Sequence, residues 1–144
     1  MKVLFICEGN LCRSVMAEKL FEASMRRRGK PAEARSCGLA AATRLAVPSE
    51  VRAILKQAGV PAFEHQATPI DQNLLDWADV AITMTEVQLE AVQDRFPKSA
   101  GKVALLREKA GFPDFDVEDP FGRTEADYRA CAARIAASIE RLAA

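Results

Sequence analysis

The stretch from Lys2 to Ser14 constrains what this chain can fold into more than any other. Lys2-Val3-Leu4-Phe5-Ile6-Cys7 is a short apolar run that reads as a strand buried on both faces, and Gly9-Asn10 stops it. Ser14 then stands where a helix N-cap belongs. From it Met16, Leu20, Phe21 and Ser24 recur at three- and four-residue steps, up to the stop at Gly29 and Pro31. A buried strand that runs through a short loop into a helix is the opening unit of a parallel sheet, because helices over both faces are what hide such a strand.

The rest of the chain repeats the alternation. Ala34-Arg35-Ser36 predicts a second strand, and Pro48 to Ala58 a helix closed by Gly59. Val80 to Met84 predicts a third buried strand, Thr85 to Phe96 a helix, and Lys102 to Leu106 a fourth strand. A long connection through Gly111, Pro113 and Asp114 leads to Pro120, and a last helix carries Tyr128, Cys131, Ile135, Ile139 and Leu142 on one face. The expected class is α/β, with a parallel sheet wrapped on both faces. No repeat or linker divides residues 1–144, so a single domain is expected at this length. Ligands of such sheets sit beyond the carboxyl ends of the strands, beside a topological switch point. The loop from Cys7 to Ser14 lies there.

Composition excludes several function classes. Net charge is zero and the isoelectric point is 6.6, so the basic excess of a nucleic-acid or membrane-surface binder is missing. The one cluster, Arg26-Arg27-Arg28, fits the solvated C-terminal end of the first helix. Val3 to Ile6 is far too short for a signal or membrane span. Neither a nucleic-acid partner nor membrane insertion is expected. Without a signal segment, the four cysteines at 7, 12, 37 and 131 are expected in a reducing cytoplasm rather than in disulfides. His65 is the sole histidine and only one cysteine pair is close, which does not make a structural zinc site, so no metal is expected.

The loop itself carries chemistry. Cys7 and Arg13 enclose Gly9-Asn10, the two residues best suited to positive φ. A loop bent this way turns the backbone N–H groups of Glu8 to Arg13 inward as a nest for an anion, and the following helix adds its own N–H groups and dipole. Arg13 offers a planar fork for two phosphoryl oxygens. Cys7 at the base of the nest feels this positive potential, which favours a thiolate nucleophile. Ser14 is placed to donate a hydrogen bond to that sulfur. A phosphoryl acceptor also needs an acid to protonate the expelled group and then activate water. Asp114, Asp116, Glu118 and Asp119 are all candidates, and spacing alone does not choose among them. Asp119 precedes Pro120, which biases it to an extended backbone.

The octapeptide Cys7-Glu8-Gly9-Asn10-Leu11-Cys12-Arg13-Ser14 resembles the phosphate loop of the low-molecular-weight protein tyrosine phosphatase family. Met16-Ala17-Glu18, Ser36-Cys37-Gly38, His65-Gln66-Ala67, Ala78-Asp79-Val80 and Asp119-Pro120 resemble that family's segments too, so the likeness spans the chain. The resemblance implies a doubly wound four-stranded parallel sheet of flavodoxin-like order 2-1-3-4, no cofactor, and a two-step displacement through a cysteinyl-phosphate. It implies Asp119 as the general acid, Phe121 beside the substrate, and Asn10, Ser36 and His65 hydrogen-bonded to one another in support of the loop. The expected partner is a phosphorylated protein, acted on by a monomer or weak dimer.

Three departures bear on function. Glu8 puts a carboxylate where the family mostly has an uncharged residue, opposing a phosphate dianion unless it points outward or is paired. Val15 replaces a proline expected at the first position of the helix. Leu11 stands where tyrosine phosphatases carry a bulky apolar residue and the protein-arginine phosphatase branch a threonine. The main reading is a phosphotyrosine phosphatase. Asp119-Pro120-Phe121-Gly122 keeps a protein-arginine phosphatase as the alternative, and Glu8 a weakly active phosphate-binding regulator as a third.

Overall fold

The computed structural model describes residues 1–144. Its first strand, β1 (Lys2–Cys7), has parallel neighbours on both sides, and the sheet order is β2-β1-β3-β4, with β2 at Glu33–Gly38, β3 at Val80–Thr83 and β4 at Val103–Leu105. Between them run α1 (Arg13–Arg27), α2 (Ser49–Gln57), α3 (Gln72–Trp77), α4 (Glu86–Arg95), the short α5 (Leu106–Lys109) and the final α6 (Glu125–Ala143). A 3₁₀ turn at Pro97–Lys102 leads into β4.

The alternation of β1 divides the interior. Val3, Phe5 and Cys7 face one apolar cluster, shared with α1, α2 and α6. Leu4 and Ile6 face a second cluster, formed with α3 and α4. Helices therefore cover both faces, and Phe5 meets Phe21 of α1 edge-on with ring centroids 5.7 Å apart. Thr85 and Thr124 start α4 and α6 with capping boxes. Cys131 is buried on the α6 face that meets α1, and Trp77 lies half-buried beneath the Arg35 guanidinium at 4.3 Å. No helix is long and apolar enough to cross a membrane.

From β1 the chain goes outward to β2 and then returns to place β3 on the other side. Cys7 ends β1 at that switch point. Helix α1 begins at Arg13, so its N-cap is Cys12 rather than Ser14, and no side chain caps it. Val15 is accordingly the third helical residue, fully buried, rather than the first. Strand β2 extends through Cys37 and Gly38, two residues beyond the sequence expectation. There Gly38 also bridges to Pro69, drawing the segment around Thr68 alongside the loop.

Candidate active site

The loop's shape follows from where its polar groups go. Its carbonyls point to one side: Cys7, Glu8 and Gly9 accept from the N–H groups of Leu39, Ala40 and Ala42, each at 2.9 Å. Asn10 carbonyl accepts from His65 Nε2 at 2.8 Å. This fixes the tautomer, since a carbonyl requires the proton on Nε2. The N–H groups of Glu8, Gly9, Leu11, Cys12 and Arg13, by contrast, donate to no acceptor in the protein. Carbonyls claimed on the outside and free amides within are the polarity an anion nest requires. The uncapped N-terminus of α1 opens into the same space.

Asn10 is the pivot. It alone among non-glycine residues has positive φ, at 58°, whereas Gly9 does not, so the expectation that both take that conformation holds for Asn10 only. Its Oδ1 accepts from Thr68 N–H at 2.9 Å, and its Nδ2 donates to Ser14 Oγ at 2.8 Å. The Ser14 hydroxyl, having accepted that bond, is free to direct its proton at Cys7 Sγ, 2.9 Å away. Asn10 N–H points at the same sulfur, at 3.3 Å. Ser36, expected in this network, is elsewhere. It is buried and donates to Glu18 Oε1, and Glu18 also pairs with Lys19 at 2.9 Å. The reason is that strand register sends Ser36 towards α1 rather than the loop, and Thr68 fills the role instead.

Arg13 is almost wholly buried. Its Nη1 donates to Val117 carbonyl at 3.0 Å, Nη2 lies 3.5 Å from Asp119 Oδ2, and Nε has no partner. A buried guanidinium N–H without an acceptor is costly unless a ligand supplies one. The four acids that sequence spacing left open are sorted by their partners. Asp114 is gripped by Arg107 at 2.8 Å and Arg134 at 2.7 Å, and Asp116 accepts from Glu86 N–H at 2.9 Å. Glu118 is exposed beside Arg123. Only Asp119 lines the pocket over Cys7. Its Oδ1 accepts from Phe121 N–H at 3.1 Å, which closes a turn and brings the Phe121 ring to the rim.

That pocket encloses about 140 Å³, walled by Cys7, Glu8, Gly9, Leu11, Cys12 and Arg13 of the loop, with Ala42, Leu45, Asp119 and Phe121 opposite. Phe121 is half exposed, so it is not core packing. Ala42 and Leu45 were not foreseen, since nothing in the sequence ties the segment after β2 to the loop. Nor does the segment Ser36-Cys37-Gly38 reveal by itself what its glycine does. A Cβ there would stand 2.6 Å from Glu8 O and 3.1 Å from Asn10 N, so the loop can lie where it does only against a glycine. Burial, then the charges of Asp119 and Cys7, pushes the Cys12 thiol up to about 12, and burial foremost does the same to Cys131. Neither serves as a thiolate at neutral pH.

Residues 2–144 match the family model described as low molecular weight phosphotyrosine protein phosphatase. A protein-arginine-phosphatase of Geobacillus stearothermophilus is 32% identical over 142 residues, covering 99% of this chain and 93% of the relative. A protein-arginine-phosphatase of Bacillus subtilis is 34% identical over 123 residues, 85% of this chain and 81% of the relative. Among solved structures, the low molecular weight protein tyrosine phosphatase of T. tengcongensis superposes with a TM-score of 0.92 at 34% identity, covering 99% of this chain and 97% of that one. The chain belongs to the low molecular weight phosphotyrosine protein phosphatase family and is a phosphatase of phosphorylated proteins.

Proposed function

We propose that this phosphatase hydrolyses phosphotyrosine in proteins through a cysteinyl-phosphate on Cys7. The phosphoryl group seats on the free loop amides and on the unpartnered Nε of Arg13. Cys7 thiolate attacks phosphorus, the P–O bond to the ring breaks, and Asp119 delivers a proton to the departing phenolate. Asp119, now ionised, takes a proton from the water that attacks the thiophosphate. Cys7 leaves as thiolate, stabilised by the Ser14 hydroxyl at 2.9 Å.

The observation that carries the substrate choice is the apolar wall of Leu11, Ala42, Leu45 and Phe121. Burying an apolar side chain is worth about 1.5–3 kcal/mol, whereas an unpaired guanidinium N–H against such a wall costs about 1–3 kcal/mol. Both effects favour an aryl ring. Protein-arginine phosphatase activity is the second reading, favoured by the similarity to the two protein-arginine-phosphatases of Geobacillus stearothermophilus and Bacillus subtilis and by Asp119-Pro120-Phe121-Gly122. Comparing kcat/KM on phosphotyrosine and phosphoarginine versions of one peptide separates the two. Wild type should prefer phosphotyrosine, and Leu11→Thr should shift the ratio towards phosphoarginine by about tenfold or more. A wild type faster on phosphoarginine overturns the substrate assignment and leaves the Cys7 chemistry standing.

A further inference from the structure

The charges around the pocket leave one carboxylate over. Its wall holds three charged side chains, Glu8, Arg13 and Asp119, and the last two face each other at 3.5 Å. Glu8 has no cation within ion-pair distance and makes no side-chain hydrogen bond. It is exposed and lines the pocket, and it is not paired. Nor is its backbone free to move. The Glu8 carbonyl accepts from Ala40 N–H at 2.9 Å and lies against Gly38, where an added Cβ would approach to 2.6 Å. Arg44, between the lining residues Ala42 and Leu45, is exposed, does not line the pocket and forms no ion pair with Glu8.

A bare carboxylate fixed at the mouth of a site built for a dianion works against every phosphorylated ligand equally, unless the ligand brings positive charge to that mouth. The geometry points to Glu8 as a specificity residue that selects substrates with Lys or Arg immediately beside the phosphorylated residue and rejects acidic neighbours. It combines an attractive element for basic flanks with a repulsive one for acidic flanks, which is how partners are discriminated at small cost in contact area. This rests on the reading of the pocket as the phosphatase site.

The test is kcat/KM on phosphotyrosine peptides that differ only at the neighbouring residue, Lys, Gln or Glu, with wild type and Glu8→Gln. Exposed charge pairs each change an equilibrium by roughly one- to fivefold, so wild type should rank Lys over Gln over Glu, with a spread of about three- to twentyfold. High salt should compress that spread. In Glu8→Gln the spread should collapse, with the Glu peptide gaining most. An unchanged ranking in Glu8→Gln, or no ranking in wild type, overturns the proposal. If phosphotyrosine peptides are not turned over at all, the substrate reading fails separately. The same flanking series built on phosphoarginine then scores Glu8 by the same criterion.

Discussion

Each loop residue acts through a neighbour, and the order of these contacts sets what substitution should do. Thr68 N–H fixes the Asn10 amide, the amide fixes the Ser14 hydroxyl, and the hydroxyl faces Cys7 Sγ. His65 holds the Asn10 carbonyl from outside and stands on the far side of the loop from the pocket residues, so it is a donor to the loop and has no place as a base. Asp119 differs from all of these because it faces the pocket itself. In the proposed role of proton donor it should matter in proportion to the basicity of the leaving group. Asp119→Asn is expected to lose about 10²–10⁴-fold in kcat on phosphotyrosine, whose phenol has a pKa of about 10, and much less on a nitrophenyl phosphate. Steady-state rates on the two substrates decide it. Equal losses would move the proton transfer to another group, and Asp116, tied to the α4 N-terminus, is the next residue to substitute.

At the scale of elements, the site is an agreement among β1, the end of β2, the segment around Thr68 and the long connection before α6. Gly38 is the contact that lets β2 and the loop meet. Gly38→Ala would set a Cβ against backbone rather than a yielding side chain, and overpacking of this kind typically costs about 1–3 kcal/mol. Because the displaced atoms belong to the nest, kcat should fall by about 10²-fold, well beyond what the loss of stability explains. Thermal melting beside kcat separates the two effects, and a variant with normal kcat would remove Gly38 from the site. The acid-bearing connection is held by Asp114 between Arg107 and Arg134, with Arg134 also on Asp116 carbonyl at 2.8 Å and Arg13 on Val117 carbonyl. Those two arginines, Arg107 first, hold the Asp114 carboxyl well below its usual range. A depressed folded value means the clamp contributes fully above about 3.8 and fades as pH falls below that. Asp114→Asn should loosen the connection and cost about tenfold in kcat on phosphotyrosine, with nitrophenyl phosphate spared, and it should flatten the acid side of the stability curve. Loss on both substrates alike would make the clamp structural only. The sequence disclosed β1, the loop and α1 because strand, turn and helix signals crowd into the first 28 residues. Helices α3 and α5 were not legible, being six and four residues long, too short for a helical period to repeat. Partners such as Glu18 for Ser36 and Arg107 for Asp114 were invisible for another reason: strand register and loop path choose them, and local pattern encodes neither.

The whole molecule buries all four of its thiols. Besides Cys7, the other three lie on opposite sides of the sheet, Cys12 and Cys131 in one apolar cluster and Cys37 in the other. Burial raises all three, Cys12 and Cys131 to about 12, and Cys37 higher still. In the unfolded chain the same thiols titrate near 9. Between these values the folded protein keeps protons that the unfolded chain has released. The unfolded state then binds fewer protons, so the free energy of unfolding falls as pH rises. The stabilisation is complete below about 9 and is lost progressively up to about 12. Each fully titrating thiol contributes a slope of about 1.4 kcal/mol per pH unit. Tyr128, raised chiefly by burial, adds to the decline in the same direction at the upper end. Thermal or urea unfolding should therefore show a lower stability at pH 10 than at pH 8. Cys131 is the residue to substitute, because it lies on α6 and lines no part of the pocket over Cys7. Cys131→Ala should be somewhat less stable than wild type at pH 8 through lost packing, yet it should lose less between pH 8 and pH 10, because one of the titrating groups is gone. A wild type equally stable at both pH values, or a Cys131→Ala variant that declines as steeply, would show that the interior thiols do not set the alkaline limit of this fold.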